Sequence, residues 1–120
     1  MPGKAFQPSS NPDILQGTLD VMILRTLQRA ESHGYAIARA IERGSGGVLT
    51  IEEGSLYPAL YRLQKRGDLA SEWRTTETGR RARFYKLTSA GRKRLVQEVD
   101  QWERLSAAVQ RVLGAQGAGA

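Results

Sequence analysis

Leu56, Leu60 and Leu63 recur at i, i+4 and i+7 within the stretch Glu53–Arg66. That spacing is one stripe of an α-helix. The positions around it, Ser55, Tyr57, Tyr61, Arg62 and Lys65, are hydroxyls, phenols and cations. A helix of this kind seats its leucines on a core and presents polar and cationic groups outward, as a phosphate-lined groove requires. Pro58 is compatible with the helix if it lies in the first turn, where backbone N–H groups lack intrahelical partners. Gly67 is suited to stop it. An ordinary amphipathic surface helix would carry the same stripe, so the flanking sequence has to decide.

The charge that follows this helix is one-sided. Between Arg62 and Arg94 eleven Lys/Arg face three acids, a net of +8, in a chain whose total is +6, so the remainder carries −2. A concentrated basic patch is the electrostatic footprint of nucleic-acid binding. A solvated basic surface is the plainer alternative. An anionic membrane is disfavoured, because no basic amphipathic helix with a large apolar face accompanies the patch. The longest apolar run, Val21–Leu24, is far too short to span a bilayer. With no cysteine there are no disulfides and no thiolate metal site. His33 is the single histidine, which argues against zinc and against a histidine-based dyad. No catalytic constellation and no cofactor is expected, and a cytoplasmic location fits.

Taken in order, residues 1–12 read as a disordered N-terminal arm, with no apolar core of a signal peptide. Asp13 to Ala30 reads as a helix with Leu15, Leu19, Met22, Ile23 and Leu27 on one stripe, and Ile14, Val21 and Leu24 off it. So broad an apolar surface suggests burial on two sides. Glu31–Gly34 reads as a turn, and Gly34 to Arg43 as a second helix with Tyr35, Ile37, Ala38 and Ile41 facing inward. Val48–Ile51 is short and β-prone, a candidate first strand of a small three-stranded sheet. After the Glu53–Arg66 helix, Leu69–Thr76 and Arg83–Leu87 form a hairpin around Thr78-Gly79, with Trp73 read as a packing residue. Thr88 caps a final helix from Ser89 to Leu113. Leu95, Val99, Trp102, Ser106, Val109 and Leu113 step along it by 4, 3, 4, 3 and 4, the seam of a helix that packs on another helix. Residues 114–120 read as a flexible tail.

This order is a winged helix-turn-helix, mainly α with a small β component, over 13–87, followed by a C-terminal dimerisation helix over 88–113. In that logic the second helix of the pair enters the major groove and the hairpin is the wing. Ser55, Tyr57, Tyr61, Arg62 and Lys65 are then the groove-facing set, and Arg80, Arg81 and Arg83 the wing's DNA contacts. His33 is read as part of a capping turn.

Five blocks fall in the order and spacing of a known family: His33-Gly34-Tyr35-Ala36-Ile37, Gly46-Gly47-Val48-Leu49, Gly54-Ser55-Leu56-Tyr57-Pro58-Ala59-Leu60, Arg80-Arg81-Ala82-Arg83-Phe84-Tyr85 and Leu87-Thr88-Ser89-Ala90-Gly91. Together they resemble the PadR family of bacterial transcriptional regulators, in its short-tailed branch with a single C-terminal helix. The resemblance spans roughly Asp13 to Leu113. It implies a homodimeric repressor on a palindromic operator in double-stranded DNA, and release by a small aromatic or cationic effector. It implies dimerisation through the last helix and helix 1, which places Leu15, Leu19, Leu95, Val99, Trp102, Ser106, Val109 and Leu113 at the interface. Trp102 falls where some relatives line a flat pocket at the dimer centre, which makes it the candidate effector platform. The competing reading is a winged-helix module that binds another protein, for which a wing of this charge has no use.

Overall fold

The computed structural model describes the backbone of residues 12–114 and the side chains of residues 17–114. Residues 1–11 of the expected arm, the tail beyond Gly114 and the side chain of Leu15 lie outside the described residues; Pro12, expected in the arm, opens the first helix. Four helices and three strands follow one another as α1 (Pro12–Arg29), β1 (Ser32–His33), α2 (Gly34–Gly44), α3 (Glu53–Lys65), β2 (Leu69–Thr75), β3 (Arg81–Leu87) and α4 (Ser89–Leu113). The sheet is antiparallel, in the order β1-β3-β2. This is the winged helix expected from the sequence, with one strand placed differently.

The third strand is Ser32–His33, paired with Tyr85 and Phe84 of β3, and not Val48–Ile51. Amides that would have made a strand of 48–51 are taken locally, Val48 N by the Ser45 carbonyl at 3.3 Å and two others by side chains. Leu49 N donates to Ser45 Oγ at 3.0 Å and Ile51 N to the Glu42 carboxylate at 3.0 Å. Only a single bridge residue, Leu49, remains of the expected strand. The free edge of β3 is satisfied by the segment just before α2, where His33 Nδ1 accepts from Ala36 N at 3.3 Å and caps the helix.

The core lies between the sheet and the helices. Ile23 and Leu24 of α1, Ile37 of α2, Leu56, Leu60 and Leu63 of α3, and Leu95 of α4 are fully enclosed. Leu24, which the stripe left to one side, is therefore a core residue. Leu19 and Leu95 also belong to this core. Their expected place at a subunit interface is corrected, since apolar area spent inside one chain is not free to cover another. Pro58 is the sixth residue of α3 and not in its first turn. It withholds one intrahelical donor from the Gly54 carbonyl, at a solvent-facing position.

The end of α3 and the start of α4 are fastened together. Asp68 N donates to Leu63 O at 3.0 Å and Gly67 N to Gln64 O at 3.0 Å, closing a Schellman turn. Thr88 Oγ1 donates to Gly67 O at 2.7 Å while accepting from Gly91 N at 3.0 Å as the cap of α4. Gly91 lies so close to the Asp68 carbonyl that a Cβ there would stand 2.1 Å from the oxygen, so no larger residue fits. The Asp68 carboxylate is buried and paired with Arg66 at 2.7 Å and Arg94 at 3.4 Å. Among the described residues no helix is long and apolar enough to cross a membrane.

Candidate nucleic-acid interface

The exposed face of α3 is built by Tyr57, Tyr61 and Lys65, one turn apart from each other. Lys65 Nζ lies 5.7 Å from the centroid of the Tyr61 ring. Ser55, in the first turn, is half-buried. Arg62, expected beside them, is turned away. Its Nη2 meets Asp20 Oδ1 of α1 at 2.6 Å, and Asp20 is 5% exposed. Burial pushes the Asp20 carboxyl above its usual value, and Arg62 offsets part of that shift. The physical reason for the correction is the buried charge, which outbids solvent for the nearest guanidinium.

The N-terminus of α2 abuts this face. A Cβ on Gly34 would stand 2.7 Å from the Tyr57 hydroxyl and 2.9 Å from its ring, so a larger residue there would push the Tyr57 side chain aside. Tyr35 was expected to face inward. It is 65% exposed, with the Arg39 guanidinium 5.8 Å from its ring centroid. Ile37, Ala38 and Ile41 hold the inward positions as expected.

The wing has two faces of opposite character. On one, Arg74 pairs with Glu31 at 2.6 Å, also bonds Glu72, and lies 5.0 Å over Phe84. Hydrogen bonding to Arg74 holds the Glu31 carboxyl below its usual value. The other face continues outward from buried Leu69, Tyr85 and Leu87, and carries Trp73, Arg81 and Arg83. Arg83 Nε donates to Ser71 Oγ at 2.9 Å, and Ser71 donates to Gln64 of α3 at 3.0 Å. These contacts set the second wing face beside the exposed face of α3. Burial raises the Tyr85 hydroxyl above its usual value, with Arg83 opposing and Tyr57 adding to the shift. Arg81 begins β3, and the tip runs from Thr76 to Arg80, closed by Thr76 N to Arg80 O at 2.6 Å.

Lys65 on α3 and Arg80, Arg81 and Arg83 on the wing make no ion pair with another described residue. Arg62, Arg66, Arg74 and Arg94, counted in the same basic segment, are neutralised within the fold. Cations free of acids, beside phenols and an indole, have the chemistry that a polyanion calls for. Sequence reasoning missed Tyr35 and Trp73, both read as packing. Trp73 has the strand parity of a core residue, and nothing local marks where the core stops.

At the opposite end, the seam of α4 divides. Leu95 is buried and Val99 packs partly against the core, while Trp102 (44% exposed), Val109 and Leu113 are exposed and Ser106 is half-buried. Leu105 and Val112 widen the exposed stretch. Trp102 and Leu105 also line an open cleft of about 270 Å³ with Gly17, Thr18 and Val21 of α1 and Glu98 and Gln101 of α4.

Residues 23–97 match the model of the transcriptional regulator PadR-like family. The chain is 36% identical over 86 residues to transcriptional regulator Rv3488 of Mycobacterium tuberculosis, covering 72% of this chain and 74% of that one. It is 30% identical over 90 residues to an uncharacterized protein of Lysinibacillus sphaericus, covering 75% of this chain and 83% of the relative. The structure of a transcriptional regulator from Clostridium thermocellum superposes with a TM-score of 0.74 at 31% identity, over 82% of this chain and 96% of the other.

Proposed function

Because the chain belongs to the PadR-like family and is therefore a transcriptional regulator and not an enzyme, we propose that it is a repressor that binds double-stranded DNA as a homodimer. In this reading α3 lies in the major groove, with Tyr57, Tyr61 and Lys65 toward the DNA and Ser55 at its entry. Arg80, Arg81 and Arg83 hold the flanking phosphates from the wing. The observation that carries it is the set of cations without an acid partner on α3 and the wing, while Arg62, Arg66, Arg74 and Arg94 of the same segment are each paired with one.

The exposed second half of α4 supports the dimer. Val109, Leu113 and their neighbours leave an apolar stripe in water that a second copy would cover, with Val99, Trp102 and Ser106 at its inner end. Two copies joined this way carry two α3 helices, and the operator is then a palindrome. Trp102, with Glu98 beside it in the cleft, suits an aromatic or cationic effector, through the ring face and the carboxylate. The site of action is the cytoplasm.

Selection of bound duplexes from a random pool tests this reading. The expected result is a palindrome with half-sites about one helical turn apart. Four free cations per subunit on two subunits set an upper bound of about eight neutralised phosphates, so affinity should fall by up to about 10⁴-fold between about 50 and 200 mM salt. Recovery of no preferred sequence, together with salt-independent binding, rules the reading out.

A further inference from the structure

Trp73 is 55% exposed on the hairpin, although it shares a strand face with buried Leu69. Arg83 lies directly across the ladder from it, and Arg81 is across from Thr75, one pair further on the same face. The guanidinium of Arg83 is 5.4 Å from the Trp73 ring centroid and that of Arg81 is 5.9 Å. Both distances fall within cation–π range. Neither arginine has an acid partner among the described residues. A guanidinium held over a ring can still use its remaining N–H donors on another ligand: Arg83 spends its Nε–H on Ser71 and keeps its two Nη groups, which match a phosphate bidentately. The Ser71 hydroxyl bridges Arg83 to Gln64 of α3 and sets the register of this cluster against the groove-facing helix.

We propose that Trp73 is a positioning residue for DNA binding, its indole holding Arg81 and Arg83 together as a clamp for the phosphates that flank the bases met by α3. The proposal rests on the DNA-binding reading and adds to it the residue that orders the wing. An unordered arginine loses rotamer freedom when it meets a phosphate. An arginine already resting on the ring has lost part of that freedom before the DNA arrives. The gain is the same for every sequence, because phosphates carry no sequence information.

The test uses the full chain and a duplex obtained by selection. Trp73→Leu keeps an apolar strand residue but removes the ring, and should weaken binding about tenfold to selected and unrelated duplexes alike. The salt slope should stay unchanged, since no charge is removed. Trp73→Phe should recover most of the loss. In a protein already carrying Arg81→Ala and Arg83→Ala, Trp73→Leu should add nothing. A loss that persists in full without the arginines, or that is confined to the selected duplex, overturns the clamp. A second measurement leaves position 73 intact: with fluorotryptophan incorporated, the ¹⁹F resonance assigned to Trp73 should shift when duplex is added, and a stationary resonance overturns the clamp. If the parent chain binds selected DNA and Trp73→Leu binds equally well, the clamp alone fails. If the parent binds no DNA in a salt-dependent way, the DNA reading fails and the clamp with it.

Discussion

The α1–α3–α4 junction and the wing hold the same kind of side chain and use it in opposite ways. At the junction, Arg62 meets buried Asp20 and Arg66 and Arg94 meet buried Asp68. On the wing, Arg81 and Arg83 meet an indole and no acid. A guanidinium beside a buried carboxylate cancels a charge that the fold cannot leave alone. A guanidinium on a ring keeps its charge for an outside partner. Net charge along the sequence therefore overstates the binding surface, because part of it is internal mortar. The comparison also assigns opposite costs to the two regions: loss at the junction should unfold the protein, and loss at the wing should only detach it.

The largest effect is expected at Asp68. Asp68→Ala leaves Arg66 and Arg94 without their shared partner and empties a site that is 1% exposed. Removing one member of a buried ionic group costs up to about 3–5 kcal/mol; because Arg66 and Arg94 are 33% and 40% exposed, about 3 kcal/mol is expected, which lowers Tm by about 10 °C. Calorimetry checks it, and a shift of only a few degrees would show that the junction is not held by charge. Arg62→Ala comes next, at about 2–3 kcal/mol, because Asp20 is left buried but can take up a proton. The sign follows from Asp20: its folded-state value is raised, so the stability linked to it is complete below the unfolded value and lost as pH rises through the folded one. The cost of Arg62→Ala should therefore grow from acid to neutral pH. The refolded variant should keep its preferred DNA sequence, and a changed preference would return Arg62 to the groove.

Arg81→Ala is the mirror experiment. Its side chain is exposed and without an ion pair, so stability should change by less than about 0.5 kcal/mol. Affinity should fall about tenfold for all sequences, and the salt slope should shrink by about one per site removed. Filter binding over a range of salt separates this from a base contact. A large loss of Tm with unchanged binding would merge the wing with the junction and dissolve the distinction between them.

How far the sequence carried this picture depended on whether the cause of each feature was local. The bounds of α4, Ser89–Leu113, were legible because Thr88 caps it three residues before Gly91 and glycine follows Leu113. The stripe of Leu56, Leu60 and Leu63 located α3 for the same reason. β1 was not legible. Two residues make a strand only because β3 has an open edge there, and that edge is formed some fifty residues later in the chain. The strand expected at Val48–Ile51 failed because Ser45 and Glu42 claimed its amides, a competition of side chains with backbone that propensity does not register. Arg62 and Trp73 erred in opposite senses. Arg62 looked like a surface cation because its acid, Asp20, is forty-two positions away. Trp73 looked like a packing residue because a tryptophan on a strand usually has a core to cover, but on its face of β2 only Leu69 is buried. In the seam of α4 the period was legible, but not the point near Val99 where one chain's own core ends and an open face begins.

The smallest effect tests the one place where the wing borrows the junction's device. Arg74 is a wing residue, yet it is tied to Glu31 at the end of α1, across the hairpin from the Trp73 face. Both groups are solvated, so the pair should contribute little and be screened by salt. Its signature lies in pH and not in size. Glu31 has its folded-state value lowered, chiefly by the hydrogen bond from Arg74, so its contribution is present above the unfolded value and lost as pH falls through the folded one. Glu31→Gln should therefore melt slightly below the parent at about pH 7, and the difference should close as pH falls below the usual carboxylate range. DNA affinity should be unchanged, since Arg74 lies on the face turned away from Arg81 and Arg83. If Glu31→Gln instead strengthened binding, by freeing the Arg74 guanidinium for phosphate, then charge pairing would be limiting the wing as it organises the junction. The two regions would then differ only in how much of their arginine is already occupied.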